Sequence, residues 1–231
     1  MTGRVALYWA PAEDDPLSRF GAEWLGRDAI ADVPVPQPAI PAIAGRGLDL
    51  AEITQSPRHY GFHATLKAPF VPLPGPPEDL DAAAAAFCAA TAPVDAPPLV
   101  PAVLGGFVAL VPDGPCPAVD AFAARVVEAF EPFRSPLDPH DLARRRQAPL
   151  TERQHAHLVE WGYPYVFEDF FFHMTLSRRL GPDDAEAVRA AAAERLAPLA
   201  HRPLRIDALC LFEQPARDRP FRLSRRFSLC G

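Results

Sequence analysis

The sequence predicts an α+β protein of two packed lobes. Strands and helices interleave along the whole chain, the two halves follow roughly matching orders, and no break between them reads as a flexible linker. In chain order, Val5 to Trp9 is a short apolar and aromatic run closed by Ala10-Pro11, a first strand, and Asp14-Asp15-Pro16 opens a helix running to about Leu25. From Asp32 to Pro57 many prolines and two glycines near Arg46 break any long period, which reads as an ordered surface loop. The run from Tyr60 to Pro69 then alternates. Phe62, Ala64 and Leu66 fall on one face of a strand, and His63, Thr65 and Lys67 on the other.

An Ala-rich helix is expected from Asp79 to Ala90, and Leu99 to Leu104 and Phe107 to Val111 read as strands joined at Gly105-Gly106, a hairpin signal. Pro117 to Phe130 carries Val119, Phe122, Val126, Val127 and Phe130 at helical spacing. Glu131 to Trp161 reads as irregular or helical, with one helix over Asp138 to Arg146 and another opened by Thr151-Glu152. The earlier alternation then returns, with Phe172, Met174 and Leu176 on one face and His173, Thr175 and Ser177 on the other. We expect strands over 57–67 and 169–177, each near the centre of its own sheet. A helix from Pro182 to Leu196 and strands from Leu204 to Phe212 and Phe221 to Leu229 complete a single two-lobed domain spanning 1–231.

Composition narrows the function. With 231 residues, 49% of them hydrophobic, the chain can bury an ample core. A net charge of -6 gives no general attraction to polyanions, so a long nucleic acid is not an expected partner, whereas a small anionic substrate needs only a local basic site. Cys88, Cys116, Cys210 and Cys230 form no C-x-x-C pair, which argues against a zinc ribbon or a disulfide framework. No apolar run approaches the roughly 18 residues of a bilayer-spanning helix. The opening MTGRVALYWAP lacks the basic-then-apolar layout of a signal peptide. A cytoplasmic monomer without a membrane partner is the expectation.

The chemistry is carried by H-A-T-L at 63–66 and H-M-T-L at 173–176. In a chain of this composition two such matches arise by chance about twice in ten thousand sequences. A period of two sets His and Thr of each motif side by side on the polar face of a strand. Chemistry at a phosphate ester needs a base for the attacking oxygen, an acid for the leaving oxygen and donors for the non-bridging oxygens. His63 and His173 supply the first two near neutrality, and Thr65 and Thr175 the third. Around them, Lys67 shares the face of His63, and Tyr60, Tyr163 and Tyr165 flank the two strands. One arginine of the run Arg144, Arg145 and Arg146, with Arg145 taken as its representative, is expected to clamp an anion. Ser177 continues the polar face of the second strand. His155 and His157 stand at i and i+2 of a helix, where side chains diverge, so no metal and no cofactor is expected. His59, His140 and His201 are read as structural.

On these motifs the chain resembles the two-histidine phosphoesterase superfamily, which includes LigT-like RNA cyclic phosphodiesterases and plant cyclic-nucleotide phosphodiesterases. The wider runs R-H-Y-G-F-H-A-T-L-K-A-P-F at 58–70, G-F-V-A-L-V-P at 106–112 and W-G-Y-P-Y-V-F-E-D-F-F-F-H-M-T-L at 161–176 look more narrowly like the branch encoded with phosphonate-degradation genes. The resemblance implies a duplicated bilobal fold, with two antiparallel sheets lining a central groove and helices outside. It also implies a metal-independent phosphoric diester hydrolase in which the two His and two Thr are catalytic. The expected substrate is a small cyclic phosphate of a sugar or nucleotide, foremost a ribose 1,2-cyclic phosphate from phosphonate breakdown. The alternatives are an RNA 2′,3′-cyclic phosphodiesterase and an RNA-end or nucleotide binding module without turnover.

Overall fold

The computed structural model describes residues 3–146 and 149–231, without the side chains of Pro77, Glu78, His140 and Arg144. Among the described residues the chain runs β1 (Arg4–Trp9), α1 (Pro16–Leu25), β2 (Arg27–Asp28), β3 (Val33–Pro34), α2 (Pro41–Ala44), α3 (Leu50–Ile53), α4 (Gln55–Tyr60) and β4 (Ala64–Phe70). It continues through α5 (Pro77–Ala89), β5 (Val94–Ala96), β6 (Leu99–Leu104), β7 (Phe107–Pro112), α6 (Pro117–Ala129), α7 (Pro139–Arg145) and α8 (Glu152–Trp161). The last elements are β8 (Met174–Thr175), α9 (Pro182–Leu196), β9 (Leu204–Ile206), β10 (Ala208–Gln214) and β11 (Arg222–Ser228). None of these helices is long and apolar enough to cross a membrane.

The fold class is α+β, as the alternation of elements predicts. The sheets are arranged differently from the expectation. Instead of two separate sheets across a groove, seven strands form one antiparallel sheet in the order β11-β10-β1-β4-β8-β7-β6. The two halves meet where β4 pairs with β8, through Ala64 opposite Met174. The motif strands are therefore neighbours.

Alternation along β1 sends Leu7 and Trp9 into a large core that also takes in residues of α1, α5, α6 and α9. Ala6, Tyr8 and Ala10 go to a smaller cluster on the opposite face, with Cys210, Phe212 and Phe221. Ala64, Leu66 and Met174 join the large core, so His63, Thr65, His173 and Thr175 lie on the face of the smaller cluster. The β6–β7 hairpin turns at Gly105 and Gly106, whose φ of 54° and 95° suit a two-residue turn with both central residues left-handed.

Three boundaries depart from the expectation for physical reasons. The stretch 32–57 is not a continuous loop but holds three short helices, and α4 occupies the start of the expected strand. Arg58 drives this, because its guanidinium donates to the carbonyls of Leu25 (2.6 Å) and Ala51 (3.1 Å) and to Thr54 Oγ1 (3.0 Å), closing helix ends that strand geometry would leave open. The second motif strand is only two residues long. Beyond Thr175 the chain leaves the ladder, Leu176 N–H and Ser177 N–H both reaching Val108 O. The expected strand 204–212 is cut at Asp207, whose carboxylate accepts from Arg226 (2.7 Å) and Trp9 (3.4 Å) while β9 turns away to pair with β5.

Gly61 joins α4 to β4 with φ 79° and ψ 176°, and a Cβ built on it would lie 2.4 Å from Ala29 Cβ. Gly61→Ala should therefore destabilise the fold by about 2 kcal/mol or more, read as a lower urea midpoint, with Ala29→Gly in the same chain recovering only the steric part. An unchanged midpoint would remove the strain argument.

Candidate active site

With Ala64 opposite Met174 in antiparallel register, the residues one step to either side also face each other, so His63 is opposed to Thr175 and Thr65 to His173. The four side chains form a quartet on one face, with the histidines on one diagonal and the threonines on the other. Ala64 and Met174, both fully buried on the reverse face, anchor it.

Each imidazole is held the same way. Nδ1 of His63 meets Gly61 O at 2.9 Å, and Nδ1 of His173 meets Phe171 O at 2.8 Å. A carbonyl only accepts, so Nδ1 donates in both rings, which leaves Nε2 as the ring atom available for chemistry. Thr65 Oγ1 donates to Nε2 of His63 at 3.2 Å. Nε2 of His173 and Oγ1 of Thr175 make no hydrogen bond among the described residues.

The two rings differ in surroundings. His63 stacks on Tyr8, centroids 3.8 Å apart at 23°, with Phe212 and Tyr60 each at 6.3 Å. Burial pushes its pKa down to about 4, the Gly61 carbonyl opposing the shift and the nearby His173 adding to it. His63 is thus neutral near pH 7. His173 lies near Phe107 (5.8 Å) and Phe171 (6.4 Å), the latter 54% exposed, in more open surroundings than His63.

The other sequence-derived candidates divide. Tyr60, 18° from parallel with Phe221 at 5.3 Å, and Tyr163, edge-on to Tyr165 at 5.5 Å, belong to the surroundings of His63. Burial raises the Tyr163 pKa to about 12, against the field of Arg145, whose guanidinium lies 5.4 Å from the Tyr163 ring. Arg144's side chain lies outside the described residues. Lys67 is 4% exposed, and its ammonium is engaged by Glu131 (2.7 Å) and Val127 O (3.1 Å) rather than presented beside His63. Ser177 is likewise buried, accepting from Val108 N–H and donating to Arg178 O, because the strand alternation ends before it. Among the described residues no group of three or more His, Cys, Asp or Glu side chains gathers where it could hold a metal ion. His59 accepts from Gln214 at 2.8 Å, in keeping with a structural role.

Sequence reading missed Tyr8 and Arg4. Both are even-numbered positions of β1, on the face of Ala6 and Ala10, so the alternation of that strand was the available signal.

The depressed pKa of His63 has a measurable consequence. The unfolded chain binds a proton there near pH 6.5, the folded chain only near 4. The contribution is therefore complete above about pH 6.5 and is lost as pH falls toward 4, by at most about 3 kcal/mol. Urea unfolding at pH 7 and pH 4.5 should show a smaller loss of stability in His63→Gln than in the unaltered chain. Equal losses would contradict the buried, neutral ring.

Comparison with known proteins bears on this site. The chain is 40% identical over 223 residues to a protein of Janthinobacterium sp. (strain Marseille) named ribose 1,5-bisphosphate phosphokinase PhnN, covering 94% of this chain and 49% of that protein. It is 34% identical over 225 residues to a protein of the same name from Laribacter hongkongensis (strain HLHK9), covering 96% of this chain and 51% of that protein. The chain thus spans about half the length of the curated relatives it matches. Their name corrects the expected enzyme class, since a phosphokinase transfers a phosphoryl group and is not a phosphoric diester hydrolase. A family described as "Protein of unknown function (DUF1045)" matches residues 65–222, more than half of the chain and including Thr65, His173 and Thr175, so the chain belongs to the DUF1045 family.

Proposed function

We propose that the chain is a ribose-phosphate domain of phosphonate metabolism in which His63 and His173 perform acid–base chemistry on a phosphoryl group. The observation that carries this reading is the quartet, where one strand register sets two imidazoles and two hydroxyls together and both Nδ1 atoms are tied to carbonyls. Neutral His63 would take the proton of the oxygen that attacks phosphorus through Nε2. His173, in its protonated form, would give the Nε2 proton to the oxygen that leaves. Thr65 and Thr175 would donate to the non-bridging oxygens, where charge must be held throughout transfer. Tyr60, Tyr163, Tyr165 and Arg145 would line the sugar and its charge.

Three facts support the substrate class and the context. The relatives are named for ribose 1,5-bisphosphate. The runs at 58–70, 106–112 and 161–176 resemble the branch encoded with phosphonate-degradation genes. The paired H-x-T-L motifs support a place in the two-histidine superfamily as one domain over the whole chain. A nucleotide-phosphate cradle of the G-x-x-x-x-G-K-[ST] kind is missing from the sequence, whose single lysine, Lys67, is paired with Glu131. The reading accordingly assigns this chain a ribose-phosphate site and no nucleotide cradle.

Phosphorus NMR of ribose 5-phosphate and ribose 1,5-bisphosphate incubated with the protein and a panel of acceptor hydroxyls should show new phosphate resonances. His63→Ala and His173→Ala should each slow their appearance by about 10² to 10⁴ while the protein stays folded. Thr65→Val and Thr175→Val should cost less. Undiminished rates in either histidine variant would defeat the proposal.

A further inference from the structure

We infer that Arg4, together with the four tyrosines, forms a second anion subsite beside the histidine–threonine quartet, so that the ligand is a sugar carrying two phosphates. This deepens the ribose-phosphate reading and rests on it. Arg4 and Tyr8 occupy β1 at i and i+4, hence the same face, with Cα atoms roughly 13 Å apart at about 3.3 Å per residue. A chain of contacts links Arg4 to the catalytic pair. Its guanidinium lies 5.3 Å from the Phe221 ring, Phe221 is 6.3 Å from Tyr8, and Tyr8 stacks on His63.

Arg4 is held as an anion-binding arginine would be. Its Nε donates to Gln214 Oε1 at 2.8 Å. The amide of Gln214 is itself fixed by His59 and by the carbonyls of Arg217 (3.2 Å) and Arg219 (2.7 Å). Both terminal guanidinium nitrogens of Arg4 make no hydrogen bond, and no carboxylate pairs with them, among the described residues. Neighbouring Arg217 is already satisfied, its guanidinium gripping Asp141 at 2.5 and 3.1 Å. Burial, and then Arg217, lower the pKa of Arg4 against the weaker field of Asp141, so a half-buried cation stands here with no carboxylate paired to it among the described residues. A phosphate would supply one, bidentately.

The tyrosines supply the rest. The chain has four, Tyr8, Tyr60, Tyr163 and Tyr165, and all four gather here. None of their phenol oxygens has a hydrogen-bond partner among the described residues. Unspent hydroxyls of this tyrosine group, beside His63 and Arg4, suit the hydroxyls and ring oxygen of a sugar. The fields of Arg4 and Arg145 both reach the Tyr8 phenol, so the second end of the site is positive.

Calorimetric titration of the full chain with ribose 5-phosphate and with ribose 1,5-bisphosphate tests this, the ratio of the two affinities being the readout. The unaltered protein should prefer the bisphosphate at least tenfold, Arg4→Gln should bring the ratio to about one to three, and Arg4→Lys should restore part of it. Thermal melting of each variant reports its folding. A preference that survives in folded Arg4→Gln, or no preference in the unaltered protein, overturns the second subsite and leaves the acid–base reading standing. Phosphoryl transfer that persists in the histidine variants overturns the acid–base reading instead.

Discussion

The pairing of β4 with β8 is the constraint from which the site follows. It consists of one opposed pair, Ala64 and Met174, at the junction of two antiparallel half-sheets. Because side chains alternate, burying that pair on the helix-covered face obliges the residues on either side to emerge together on the other. A slip of one residue in β8 would turn His173 and Thr175 to the core face and expose Met174. Burial of a side chain such as Met174 is worth about 1.5–3 kcal/mol, so the packing that fixes the core also fixes the distances within the quartet. The short β8 strand does not stand alone. Trp24 Nε1 donates to Leu176 O at 3.0 Å inside the core, and Ser177 and Leu176 are bonded to Val108 on β7.

The quartet is symmetric in its bonds and asymmetric in its setting. Both rings give Nδ1–H to the carbonyl two residues earlier, a local device that the repeated motif carries with it. What surrounds them comes from different parts of the chain. β1 and β10 place Tyr8 and Phe212 around His63, whereas the β6–β7 hairpin gives His173 only Phe107, with exposed Phe171 beside it. A duplicated local motif set in two unlike environments gives the two proposed proton-transfer roles a physical basis, one ring kept neutral by burial and the other in more open surroundings.

Much of this was legible before any coordinates. Periodicity located β6, β7, α6, α8 and α9 closely, and the two H-x-T-L runs pointed to the quartet. What escaped depends on partners remote in sequence. Arg58 draws its segment into a helix through contacts with Leu25 and Ala51, which no local pattern announces. Lys67 and Ser177 sit at the right alternation, yet Glu131 and Val108 claim them. Tyr8 lay within the expected strand Val5 to Trp9 and Arg4 just outside it, and the assembly of β1 between β4 and β10 brings them to the face of the histidines. The hydrolase class failed for another reason. Residues that move protons at phosphorus serve transfer as well as hydrolysis, so the motif could not choose between them.

A crystal structure of the protein soaked with vanadate tests the central claim most directly. If one strand register has built a single phosphoryl site, the vanadium will lie on the polar face between His63 and His173, its oxygens within about 3 Å of both Nε2 atoms and of the hydroxyls of Thr65 and Thr175. Vanadate bound to one histidine with the other turned away, or bound elsewhere on the protein, would contradict it.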